Sequence, residues 1–201
     1  MFLLSGIAMK TIVVIDGGHL RVLARQAGLI YDADLIEAIG CGCVDRSETL
    51  IRVQYYDCVP FNGVVRLPVT GAEREFAGSD RWLSDLAERD FMMTRLGTLK
   101  FRGFKPRSLP ITPGLGDDDF RPDFEQRGLD LRIGLDVADI VSRGAAERMV
   151  WITGDPGLAP AFEHARHRGV QIIVVSFPGQ RVPAELLWAS DVNRQMDWPA
   201  S

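Results

Sequence analysis

The stretch Thr11–Leu20, TIVVIDGGHL, carries a β-branched apolar run that stops abruptly at an acid and two glycines. A continuous Thr-Ile-Val-Val-Ile segment, apolar at every position, predicts a strand covered on both faces, as in a parallel sheet. Asp16-Gly17-Gly18 then supplies a tight turn, and Leu20, Leu23 and Ala24 follow at helical spacing to Gly28, where a C-terminal cap belongs. The unit is strand, loop, helix.

Working outward, the same alternation recurs. A second helix is expected from Asp32 or Asp34 to Gly40, and a strand over Leu50–Cys58. A Pro- and Gly-rich loop should cover 59–78. An amphipathic helix from about Asp80 to Leu96 should pack Trp82, Leu83, Leu86, Phe91 and Met92. Thr98–Phe104 reads as a strand, and 105–124 as a second long loop holding Asp117, Asp118 and Asp119. A loop of that length inside a domain is usually functional. A helix over Asp130–Ser142, a strand over Met149–Thr153, a helix over Pro160–Arg168, the buried strand Val170–Phe177 and a short helix Ala184–Ala189 complete the pattern. Strands alternating with helices predict an α/β fold with a central, mainly parallel sheet and helices on both faces. The expected organisation is a leader over 1–10, one domain over 11–190 and a tail over 191–201, because 201 residues suit one core better than two.

Composition narrows the function. A net charge of −4 argues against coating nucleic acid by bulk electrostatics and leaves room for a local basic groove. Cys41, Cys43 and Cys58 lack zinc-site spacing and read as reduced thiols of a cytoplasmic protein. No apolar run is long enough to span a bilayer, so no membrane partner is expected. The chain has neither a Gly-x-Gly-x-x-Gly turn after a strand nor a Lys-bearing phosphate loop. The haloacid dehalogenase pattern needs a second Asp where Gly18 stands.

Ligands of open α/β sheets sit beyond the carboxyl ends of the strands, where two strands here run into acids, Asp16 and Asp155. Asp130 and Asp136 lie on the intervening helix. Carboxylates crowded together repel unless a cation neutralises them, and oxygen ligands select Mg2+ or Mn2+. Each acid also has an ordinary reading: Asp155-Pro156 as a helix start, Asp16 as a turn former, Asp136 as part of a salt-bridged helix face.

Three ordered blocks, IDGGHLR (Ile15–Arg21), GLDLRIGLDVADI (Gly128–Ile140) and WITGDPGLAPAFEHARHRGVQIIVVSF (Trp151–Phe177), resemble the NYN domains of the PIN-like nuclease superfamily, including its LabA-like branch. The resemblance runs from about Thr11 to Phe177. It implies a PIN-like three-layer fold and a metal-dependent endoribonuclease. Asp16, Asp136 and Asp155 match the catalytic metal ligands, and Asp130 matches an acid often found with them. Two positions depart from the pattern: His19 stands where many members carry Asn, and Gly157 where many carry a second acid. The alternative is therefore a catalytically weakened domain that binds RNA or protein.

The expected partner is RNA, single-stranded or structured, with a homodimer as a further option. Lys100, Arg102, Lys105 and Arg107, interleaved with Phe101 and Phe104, and His19 after the first strand, are the candidate RNA contacts. A basic edge strand that discourages aggregation is the competing reading of the first four.

Overall fold

The computed structural model describes residues 8–111 and 113–199; the first seven residues of the expected leader lie outside them. The chain forms a three-layer α/β fold around a seven-stranded sheet. Its elements are β1 (Met9–Asp16), α1 (Gly17–Gln26), α2 (Ala33–Gly42), β2 (Glu48–Val59), β3 (Gly63–Arg66), β4 (Glu73–Phe76), α3 (Arg81–Ala87), β5 (Met92–Pro106), β6 (Phe120–Arg127), α4 (Leu129–Ser142), β7 (Arg148–Ile152), α5 (Ala159–His167), β8 (Gln171–Ser176), α6 (Ala184–Ala189) and β9 (Val192–Gln195). The sheet order is β6-β5-β2-β1-β7-β8-β9, parallel except for the β5–β6 pair. The mainly parallel sheet read from the alternation is present.

Side-chain alternation along the strands splits the core between the two faces. Ile12 and Val14 of β1, with Tyr56, Trp151 and Val174, pack under α4, α5 and α6. Val13 and Ile15, with Val53, Tyr55 and Val175, pack under α1, α2 and α3. The central strand is thus buried on both sides, which explains why its sequence is apolar at every position.

Four expected assignments differ. The helix over Asp80–Leu96 stops at Ala87, and Met92 onward pairs with β2 from Val53. Phe91, at φ 64, turns the chain between them. The helical spacing of Trp82, Leu83 and Leu86 is real but short, and parallel pairing overrides it beyond Glu88. The loop over 105–124 is shorter than expected, since β5 runs to Pro106 and β6 begins at Phe120. The loop over 59–78 contains the β3–β4 hairpin. The segment read as a tail contributes β9, parallel to β8, and Trp198 stacks on Phe177 with ring centroids 4.1 Å apart.

At the amino ends of the strands, the Glu48 carboxylate is held by Arg148 and by Arg194 Nη2 at 2.6 Å. Burial alone would push Glu48 up, but these arginines hold it below the ordinary carboxylate range. The opposite ends of the strands carry the candidate site.

Candidate active site

Asp16 ends β1 and caps α1, its Oδ1 accepting from the His19 backbone N–H at 3.0 Å. Its Oδ2 accepts from Thr153 Oγ1 at 3.3 Å. The Asp155 backbone N–H donates to the same Thr153 Oγ1 at 3.1 Å, so one hydroxyl joins the loops after β1 and β7. Asp155 Oδ1 accepts from Gly157 N–H at 2.8 Å and caps the short 3-10 turn Pro156–Leu158. The capping roles are therefore real for both acids. Each spends one carboxylate oxygen on its own loop and leaves the other with weaker partners or, for Asp155 Oδ2, with none among the described residues. Burial pushes Asp16 up from the usual range, opposed by the His19 N–H, and nearby Asp57 pushes in the same direction as burial. The charged form of Asp16 is costly here unless a cation accompanies it.

Asp136 is placed differently. It comes from α4, on the face where Tyr56 points, and its Oδ2 accepts from the Tyr56 hydroxyl at 2.9 Å. Arg95 from β5 sits beside it: Nε lies 3.0 Å from Oδ2 without hydrogen-bond alignment, and Nη2 donates to Oδ1 at 3.3 Å. Tyr56 is the register partner of Asp16, so Asp136 approaches the same end of the sheet, but its charge is answered by Arg95. Asp130 is exposed in the first turn of α4 and lines, with Gly157 and His164, a cavity of about 360 Å³ between α4 and α5. Among the described residues no three His, Cys, Asp or Glu side chains converge as a metal site.

His19 packs its ring on Gly154: a Cβ at position 154 would lie 2.6 Å from His19 Nδ1. Gln180 Nε2 is 2.9 Å from His19 Nε2, and Gln180 Oε1 accepts from Phe177 N–H, so the amide donates to an unprotonated Nε2. Burial pulls His19 down, against the pull of Asp16, which agrees with a neutral ring. The ring thus props the two loops together instead of reaching into solvent.

The basic stretch of β5 is largely neutralised. Arg102 pairs with Glu125 at 3.2 Å, Lys105 with Asp123 at 2.9 Å, and Arg107 Nε donates to the Asp118 carbonyl at 2.9 Å. Lys100 stands exposed in register with Glu125. The pairs of Arg102 and Lys105 are cross-strand charge pairs of an antiparallel arm, which could not be foreseen while 105–124 was read as loop. Asp117, in the same loop, accepts from Val69 N–H at 2.9 Å and ties down the turn of the β3–β4 hairpin.

Sequence reasoning passed over Asp57. Two residues beyond Tyr55 on β2, it points to the α1 face, 1% exposed, paired with Arg21 and accepting from the Tyr55 hydroxyl at 2.6 Å. Tyr31 adds its hydroxyl 2.7 Å from that of Tyr55, and burial pushes both phenols up, so they remain donors. Gly17 is required by this network, since a Cβ there would lie 2.9 Å from Asp57 Oδ2 and collide with the Tyr55 hydroxyl. The available signal was an acid embedded in the otherwise apolar and aromatic run Tyr55–Cys58, together with Arg21 one helical turn after Gly17.

No protein-family model matches the chain, and no curated protein matches it. A crystallised protein of unknown function from Vibrio parahaemolyticus is similar in fold, with a TM-score of 0.55 at 15% identity, covering 97% of each chain. At that identity the likeness concerns the fold alone.

Proposed function

We propose that this chain is a metal-dependent endoribonuclease of the PIN-like, NYN type, hydrolysing RNA phosphodiester bonds at the carboxyl ends of β1 and β7. The observation that carries the reading is the junction of Asp16 and Asp155 on one hydroxyl, Thr153, with Asp16 half-buried and, among the described residues, no Lys or Arg side chain paired with it. The donor set is all oxygen, which suits Mg2+ or Mn2+. Asp16 and Asp155 would hold the ion, with Asp136 as a third acid once Arg95 moves aside. The chemistry such an ion supplies is a lowered pKa of bound water and neutralised phosphate charge. Thr153 orients the Asp16 carboxylate and holds the Asp155 backbone, the Gly157 N–H orients the Asp155 carboxylate, and His19 on Gly154 fixes the spacing between their loops. Asp130 extends the acidic rim towards α5. A cytosolic site of action accompanies the reading, supported by three free cysteines.

A second reading, an RNA-binding or protein-interaction module without chemistry, is favoured by one observation: Arg95 already answers the charge of Asp136. Incubation of the purified chain with labelled single-stranded RNA and Mn2+ separates the two. Cleavage abolished by EDTA, by Asp16→Asn and by Asp155→Asn is the expected result. Intact RNA under all conditions, with binding retained, would establish the module instead.

A further inference from the structure

A groove of about 770 Å³ opens on the α1 face, between α1, the β3–β4 hairpin and α3. Its volume lies within the roughly 300–1,000 Å³ of small-molecule sites. Arg21, Arg25 and Arg74 line it against one acid, Glu75, in a chain whose net charge is −4. The local sign is therefore the reverse of the global one.

Two of these arginines are held in place. Arg21 is anchored through one guanidinium nitrogen on buried Asp57 and lies 5.2 Å from the Tyr31 ring centroid and 5.9 Å from that of Trp82. Its fork has five N–H donors, and its side chain is 35% exposed, so donors remain for an anion in the groove. Arg74 lies 5.1 Å from the Phe76 ring centroid. Around them Phe61, Phe76 and Phe124, which pack on one another, and Trp82, which packs on Tyr31 and Tyr55, contribute rings that are only half-buried. The hairpin rests on the β5–β6 arm through the phenylalanine rings, and the ring surface left open faces the groove.

Fixed guanidinium groups beside open aromatic faces match the phosphate and base of an unpaired nucleotide. We propose that this groove binds single-stranded RNA, with a phosphate on Arg21, Arg25 and Arg74 and a base against Phe76 or Trp82. Arg21 lies five residues along α1 from Asp16, roughly 7.5 Å at 1.5 Å per residue, and it pairs with Asp57, one residue beyond the register partner of Asp16, so the groove opens at the same end of the sheet as the strand-end acids. The choice of RNA over other nucleotide polymers rests on the ribonuclease reading; the groove itself does not.

The test is binding of a fluorescein-labelled ten-nucleotide single-stranded RNA to the full chain in EDTA, followed by anisotropy across a salt series. With no metal present, cleavage plays no part, so loss of binding and loss of nuclease activity are separate results. Arg25→Ala/Arg74→Ala should weaken binding at least about tenfold and reduce the slope of log K against log salt by about 1.4. Phe76→Leu should weaken it roughly fivefold or more. Arg25→Ala/Arg74→Ala alters only exposed side chains, and its unfolding curve should match that of the parent; Phe76→Leu keeps an apolar side chain in the ring cluster, and its binding is compared at a temperature where its unfolding curve shows it fully folded. Duplex RNA of the same sequence, AMP and polyglutamate are the competitors. The proposal stands if none of the three competes as well as the single strand. It is overturned if the variants bind like the parent, if polyglutamate competes equally, which would make the groove an acidic-peptide site, or if AMP binds with the same arginine dependence while the strand does not.

Discussion

Replacing Arg21 by Met would leave the Asp57 carboxylate, 1% exposed, without its cation while preserving the aliphatic packing on Tyr31 and Trp82. Removing one partner of a buried ion pair costs about 3–5 kcal/mol, because the remaining charge is neither hydrated nor paired. Two donors persist here, the Tyr55 hydroxyl at 2.6 Å and the Cys58 N–H at 2.7 Å. Bonds to a charged acceptor are worth about 1.5–3 kcal/mol each, so they hold the loss near the lower bound, about 3 kcal/mol. For a chain of this size that corresponds to a fall in Tm of about 6–12 °C. Asp57→Asn should cost less, about 1–2 kcal/mol, since Arg21 is 35% exposed and can rehydrate. The double variant should then be more stable than Arg21→Met alone, because the isolated charge has gone with its partner. Urea denaturation followed by circular dichroism measures all three. A cost for Arg21→Met below about 1 kcal/mol, or a double variant whose loss equals the sum of the singles, would refute the claim that Asp57 depends on Arg21.

The remaining expectations concern charge and the two strand-end acids. Asp16 has a folded pKa raised above its ordinary value, so its stabilising contribution is complete below the unfolded value of 3.8 and is lost as pH rises through the folded value. Without divalent ions, Asp16→Asn, still a good helix cap, should therefore be more stable than the parent at neutral pH, and the gap should close in urea titrations as pH falls towards 3.8. Glu48 is the opposite case: its pKa is lowered, so its contribution is present above 4.5 and lost as pH falls through the folded value. Glu48→Gln should lower stability at neutral pH and flatten the acid limb of the stability curve below 4.5. Gly157→Asp places a second carboxylate beside Asp155, its Cβ 3.1 Å from Asp155 Oδ1, and should tighten Mn2+ binding by calorimetry about tenfold. An unchanged Mn2+ affinity in a folded Gly157→Asp protein would count against a metal held at Asp155. Arg95→Ala should cost no more than about 1 kcal/mol, the pair being partly exposed, and should also strengthen Mn2+ binding by releasing Asp136.

Much of the architecture was legible because it depends on local pattern. The uninterrupted run Thr11–Ile15 marked a strand buried on both faces, and Asp16-Gly17-Gly18 marked its carboxyl end. The same logic located Asp155 after the strand expected over Met149–Thr153. Legibility failed where two segments distant in sequence select one another. Met92–Leu96 has no local reason to be a strand; it becomes one because β2 offers an open edge, from Val53 to Val59. Phe120–Arg127 likewise becomes a strand by pairing with β5, and its acids then neutralise Arg102 and Lys105, which in the one-dimensional reading were free for RNA.

The chain by itself determined which acids end its strands, since period and residue type are properties of neighbours in sequence. Only the tertiary structure decided what those acids meet. Thr153 joins Asp16 to Asp155, Arg95 claims Asp136, and Arg21 reaches Asp57 across 36 residues of chain. A charge buried in a folded protein is governed by whatever counter-charge or dipole lies within a few ångströms, and that proximity is set by how strands pair and helices cross. Sequence spacing carries no record of it.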